Sequence, residues 1–367
     1  MKTFNTLFIM ESSSPPLATM RRAITEKDDG KPQLVDIPMP RLGPDQVHIK
    51  PVAMGLNPSD FKMGTAFPRP GAVIGQDMAG TIIAAGENAP FTPGDLVWGG
   101  ASGCISSNPE YGSFSTHVCA PALLVRRLDP QIDPVEASTL STALATSALA
   151  FWTPDALDLT PITPENPSKD PFKVLVYGGS TASGTIAIQL LRLCGLDPIA
   201  TCSPHNFDLV RSYGASAIFD YADPATPAAI KAHTGGQLKH VLDCISDAHS
   251  VETCFSAMAR VGGRYVSLEV VPEELLARRR AVRACFVSAY GIAGDAMDLP
   301  GAYGMEADPS KREMGKWAFD MFERLVNTRK IRTHPVERLE GGLAAIIPGL
   351  AKLQSGSVSG KKLVAIM

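Results

Sequence analysis

The stretch KVLVYGGSTASGTIAIQLL, Lys173 to Leu191, decides how this chain is read. Val174, Leu175 and Val176 make a short apolar run suited to a strand buried on both faces, while Ile186, Leu190 and Leu191 recur at helical spacing and would seat a helix on that strand. Between them the chain must reverse within a few residues. Gly178 and Gly179 permit the turn, and the free N–H groups at the helix start would then face a pyrophosphate, with hydroxyls of Ser180, Thr181 and Ser183 beside them. The GxGxxG fingerprint of dinucleotide-binding βαβ units is altered here. Counting from Gly178, its second and third glycine positions hold Ser180 and Ser183, and Gly184 follows one place later. A glycine-rich turn alone is a weak signal, so the surrounding pattern has to supply the rest.

Downstream, strand-like and helix-like segments alternate: PIATC, the helix NFDLVRSYG, AIFDY, a helix over 224–233, HVLDCIS, a helix over 250–260, RYVSL, and ACFVSAYG as a sixth strand. Five or six strands wound this way predict an α/β fold with a doubly wound (Rossmann) parallel sheet, ligands lying across the carboxyl ends of its strands. Upstream, Arg21 to Ala120 is a series of short β-segments broken by Gly and Pro, which predicts a compact, partly closed β-domain. Pro134 to Trp152 reads as helical and the Pro-rich run after it as a surface connection. KREMGKWAFDMFERLVNTRK is an amphipathic helix, and the final GKKLVAIM is a strand whose economical partner is the N-terminal β-domain. The expected division is a loose tail over 1–18, a β-rich domain over 19–165, the Rossmann domain over 166–325 and a return to the first domain over 326–367. The cleft between the two domains is where a cofactor and a substrate would meet.

With 367 residues, 45% of them hydrophobic, the chain can fill two cores. The balance of 34 basic against 37 acidic residues favours neither nucleic acid nor a membrane surface, and no apolar run reaches membrane-spanning length. Seven scattered cysteines without a CxxC pair argue for reduced thiols in a cytoplasmic protein. One charge run stands out. Arg278, Arg279, Arg280 and Arg283 cluster just before the sixth strand, and they are expected to flank the substrate cleft as a docking patch for an acidic partner.

In GLNPSDFKMG, VIGQDMAGTIIAAG, FTPGDLVWG and the cofactor turn, the chain resembles the medium-chain dehydrogenase/reductase superfamily over nearly its whole length. In NPSDFKM, LVYGGSTAS, ATCSPHNFDLVRSYGA, LDCIS, GGRYVSL and SVSGKKLV it resembles, more closely, the trans-acting enoyl reductases that serve fungal iterative polyketide synthases, of the type found in lovastatin biosynthesis. The resemblance implies a GroES-like β-rich catalytic domain beside the Rossmann domain. It also implies a monomer that reduces α,β-unsaturated acyl thioesters with NADPH, its partner being the acyl carrier domain of an iterative polyketide synthase or of a hybrid synthase–peptide synthetase. A zinc-free quinone or free-enone reductase of the same superfamily, and an NADPH-binding protein without turnover, are the alternatives.

Zinc enzymes of the superfamily carry Cys where this chain has Asn57 and a His-Glu pair where it has Gln76 and Asp77, so a metal-free site is expected. By resemblance, Lys62 and Thr146 are the catalytic candidates. Ser180, Thr181, Ala182 and Ser183 would hold the cofactor pyrophosphate. Ser203, Pro204, His205 and Asn206, with Tyr221, would hold the adenosine end; no carboxylate stands there to repel a 2′-phosphate. Ser59, Asp60, Phe61 and Lys62 complete the cofactor set, with Leu268, Glu269, Val358 and Ser359 assigned to the nicotinamide end. The substrate channel is assigned to Phe151, Trp152 and the run Val287, Ser288, Ala289, Tyr290 and Gly291; Ser288 stands where these reductases can have glycine.

Overall fold

The computed structural model describes residues 19–103 and 109–367. The expected N-terminal tail and Cys104 lie outside them.

The chain begins with a β-ribbon of β1 (Met20–Glu26) and β2 (Pro32–Pro38), then β3 (Gln46–Gly55), α1 (Ser59–Ala66), β4 (Asp77–Ala85), β5 (Leu96–Gly100), β6 (Val118–Pro121) and β7 (Val125–Arg127). The helical stretch that follows is two helices, α2 (Pro134–Ala137) and α3 (Ser141–Trp152). The break falls at Ser138 and Thr139, whose hydroxyls turn back onto the carbonyls of Val135 and Glu136.

The Rossmann half runs β8 (Lys173–Tyr177), α4 (Ala182–Leu193), β9 (Asp197–Cys202), α5 (Phe207–Ser212), β10 (Ala217–Asp220), α6 (Thr226–His233), β11 (His240–Asp243), α7 (Ala248–Ala257), β12 (Gly263–Ser267), α8 (Glu273–Leu276) and β13 (Val282–Phe286). Its strands pair in parallel in the order β10-β9-β8-β11-β12-β13. The order reverses between β8 and β11, which opens a crevice beyond their carboxyl ends. The long helix α9 (Pro309–Asn327) then packs with α3 against the sheet, Phe151, Phe319 and Phe322 sharing one core with Val176 and Ile186.

The end of the chain, β14 (Val336–Leu339), α10 (Ile346–Gln354) and β15 (Lys362–Ile366), returns to the first half. There β15 pairs antiparallel with β3 and extends a seven-stranded sheet ordered β14-β15-β3-β4-β5-β7, with β6 as the seventh strand paired to β3. The fold is α/β, with a parallel cofactor-type sheet and a separate antiparallel-rich GroES-like domain. Among the described residues no helix is long and apolar enough to cross a membrane, and the six described cysteines are unpaired thiols.

Candidate active site

The turn after β8 shows why its glycines sit where they do. Gly178 has φ +80°, a conformation that suits glycine, and a Cβ on Gly184 would lie 2.4 Å from the Gly178 carbonyl oxygen. Gly184 is therefore the residue that lets α4 approach the strand closely. Thr181 caps the helix, accepting from the Gly184 N–H at 2.9 Å. The N–H groups of Ala182 and Ser183, in the first turn, have no acceptor within the helix, and Ser183 lines the cleft.

At the end of β9, Ser203 Oγ lies 3.5 Å from the Tyr221 hydroxyl, and Asn206 Nδ2 donates to Ser359 Oγ at 2.9 Å. His205 Nε2 is 3.0 Å from the same Ser359 oxygen. Asp220, in register with Cys202, directs its carboxylate to the Ala222 N–H. Ser359 thus belongs beside the residues assigned to adenosine, not at the nicotinamide end, and Val358 packs partly against the core of the first domain.

Between the domains lies a cleft of about 460 Å³. The first domain contributes Ser59, Phe61, Lys62 and Thr146; the Rossmann strand ends contribute Ser183, Leu268, Glu269 and the run Val287 to Tyr290. The loop after β12 is held from below. Ser246, at φ +64°, accepts from the Leu268 N–H through its Oγ at 2.9 Å, and buried Asp243 accepts from the N–H groups of Ile245 and Ser246.

Four assigned residues do not face the cleft. Phe151 is fully buried, and Trp152 stacks edge-on with Trp317 while its indole N–H donates to the Ile162 carbonyl; both are core of the α3–α9 contact. The position of Gly291 faces Met305 and Leu149. Asp60 turns inward from α1 and accepts from the Asn57 N–H at 2.7 Å, and burial pushes its carboxyl up to about 7. Asp60 is buried and braces the NPSD turn.

The two catalytic candidates both line the cleft, with different partners. The Lys62 ammonium is 3.0 Å from Glu269 Oε2 across the domain boundary. Thr146 donates its hydroxyl proton to the Thr142 carbonyl at 2.7 Å, so in this rotamer it presents lone pairs to the cleft.

Under the cleft floor, Lys362 carries a role that sequence reading missed. Its buried ammonium donates to Asn57 Oδ1 at 2.7 Å and to Asp77 Oδ2, while Asp77 Oδ1 accepts from both the N–H and the hydroxyl of Thr142. One ionic network therefore ties β15 to the NPSD turn and to the start of the helix bearing Thr146. The ammonium stands between Asn57 and Asp77, two of the positions compared above with zinc ligands. The donor set of two amides (Asn57 and Gln76), one carboxylate (Asp77) and a fixed cation does not fit a divalent metal.

These features define an oxidoreductase of the medium-chain dehydrogenase/reductase class. Residues 43–129 match the alcohol dehydrogenase GroES-like domain family, and residues 182–295 match the family described as zinc-binding dehydrogenase. The chain is 44% identical over 365 residues to the trans-enoyl reductase TwmE of Talaromyces wortmannii, covering 96% of this chain and 99% of that one. It is 39% identical over 352 residues to the trans-enoyl reductase buaC of Petromyces alliaceus, covering 95% and 97%. In fold it is similar to mycobacterial Rv1454c complexed with NADPH, at a TM-score of 0.72 and 20% identity, covering 95% of this chain and all of that one. The chain belongs to the trans-enoyl reductase family of this superfamily.

Proposed function

We propose that the protein reduces α,β-unsaturated acyl thioesters carried on the acyl carrier domain of a polyketide synthase or hybrid synthase, with NADPH as reductant, in secondary metabolism. The observation that carries this reading is one cleft that brings together a pyrophosphate-type turn, Lys62, Thr146 and an apolar wall. NADPH, when bound, supplies a hydride to the β-carbon. The chain's own part is to receive charge. As the β-carbon takes the hydride, enolate charge grows on the thioester oxygen until the α-carbon takes a proton from water, and the Lys62 ammonium is the cation at the mouth that can meet that charge. Thr146 acts as an acceptor that orients a bound hydroxyl, or as a donor only after giving up its bond to Thr142. Phe61, Val287, Ala289 and Tyr290 present apolar surface to the acyl chain and exclude water.

Preference for NADPH over NADH rests on Ser203 to Asn206, where no carboxylate opposes a 2′-phosphate. The relative complexed with NADPH supports a nicotinamide cofactor. The test is a purified-protein assay with crotonyl and longer enoyl pantetheine thioesters, repeated with carrier-bound substrate. NADPH consumption with saturated product is expected, faster on the carrier. Turnover of small free enones or quinones with no turnover of thioesters would replace this reading.

A further inference from the structure

Lys62 sits on a flexible stem and is half-exposed, and ordering such a side chain costs about 2 kcal/mol. An exposed ion pair by itself contributes too little to hold it in one place. The partner, however, is not a free surface carboxylate. Glu269 Oε1 accepts from the Tyr303 hydroxyl, while Oε2 meets Lys62. Burial opposes charge on Glu269, but the bond from Tyr303 and then that from Lys62 outweigh it and hold the carboxyl below its usual range.

Tyr303 is itself fixed. Its ring meets Phe67 edge-on at 5.1 Å and 63°, and Phe286 at 5.3 Å and 71°, so that one aromatic from each domain grips it. Its short helical turn hangs on a loop tied by reciprocal bonds between Met297 and Met305, at 2.8 and 3.0 Å. Burial, followed by the bond to Glu269, pushes the phenol up to about 12, which keeps it a donor at neutral pH. Tyr303 lines the cleft beside Glu269, yet none of the roles assigned from the sequence falls on it.

We propose that Tyr303 is a positioning residue that, through Glu269, holds the Lys62 ammonium in place over the cleft. A rigid aromatic fixes a carboxylate, and the carboxylate fixes the cation. The proposal rests on the enoyl-reductase reading for its kinetic consequence, but not for the geometry itself.

Tyr303→Phe removes the hydroxyl and keeps both ring contacts, so the fold should survive with an unchanged melting temperature. We expect kcat on an enoyl thioester to fall about tenfold, the worth of one hydrogen bond to a charged group, with NADPH affinity unchanged. In a Lys62→Ala background the same change should cost less than about twofold, because its route of action is gone. Independently of turnover, acetylation of Lys62, followed by peptide mass spectrometry, should run several-fold faster in Tyr303→Phe and in Glu269→Gln than in the parent. Equal loss in both backgrounds, or no change in Lys62 labelling, overturns the proposal. If the parent reduces no enoyl thioester, the functional reading fails, while the labelling still decides whether Tyr303 holds Lys62.

Discussion

Two lysine–carboxylate pairs bracket the same cleft, and they differ in almost everything but charge. Below the floor, Lys362 and Asp77 leave 4% and 0% of their side chains exposed; at the mouth, Lys62 and Glu269 leave 50% and 30%. A buried pair is kept only if every lone pair and proton is used, and the Lys362 network uses Asn57, Thr142 and Asp77 together. It joins three parts of the chain and has no slack. The pair at the mouth engages one of the three donors of its lysine with Glu269, so the ammonium can meet a developing anion while the carboxylate holds it. Burial turns one pair into architecture, and exposure leaves the other available for chemistry.

The largest effect should come from breaking the floor. Lys362→Met leaves Asp77 charged and unpaired, which should cost about 3–5 kcal/mol of stability, measured by urea unfolding. Adding Asp77→Asn removes the stranded charge and should recover part of that loss. If the single variant is as stable as the parent, the network is not structural and the contrast collapses.

At the mouth the effect should fall on rate. Lys62→Ala should leave stability within about 1 kcal/mol of the parent, since exposed pairs contribute little. Removing the cation that meets enolate charge should raise the barrier by about 2.7–4 kcal/mol, read from kcat/KM at saturating NADPH. Thr146→Ala should lose less, because its proton is already committed to the Thr142 carbonyl. A larger loss at Thr146 than at Lys62 would reverse their roles.

The sequence discloses these regions unequally. The strand–turn–helix at Lys173 and the α/β alternation carry strong periodic signals, and the motif NPSDFKM brought Lys62 to the cleft correctly. Phe151 and Trp152 were misplaced because α3 is buried nearly all round, so residue type could not separate a core-facing aromatic from a cleft-facing one. Lys362 escaped notice for a related reason. Its strand is buried on both faces, and no alternation distinguishes it from its exposed neighbour Lys361. Tyr303 lies in a segment without periodicity, where only the three-dimensional meeting of Phe67, Phe286 and Glu269 gives it meaning.

Asp60 sharpens the comparison through pH. Its folded-state carboxyl stands near 7, above the ordinary value of about 3.9, because burial disfavours the charge. A raised carboxyl contributes stability that is full below the ordinary value and is lost as pH rises through the folded one. Thermal melts should therefore decline by a few degrees from pH 5 to pH 8 in the parent and much less in Asp60→Asn. Identical slopes would remove Asp60 from the floor's electrostatics.

The smallest effect is expected where the sequence promised a large one. Arg278 to Arg280 precede β13 and Arg283 is its second residue, but the cleft is built from the other end of that strand, at Phe286 and beyond. At about 3.3 Å per residue, the three steps from Arg283 to Phe286 put that arginine roughly 10 Å from the site, with Arg278 to Arg280 before the start of the strand. One arginine has a different task altogether. Arg279 donates to the carbonyls of Phe255, Met258 and Ala259, closing the C-terminal end of α7, where a cation also suits the helix dipole. The run is therefore a helix cap flanked by solvated charges, and the expected docking patch beside the cleft is not there. Arg280→Glu with Arg283→Glu should change stability by less than about 0.5 kcal/mol and leave turnover of pantetheine and carrier-bound thioesters alike. A salt-dependent loss confined to the carrier-bound substrate would restore the patch, and would require the carrier to reach around the sheet edge to the mouth held by Lys62 and Glu269.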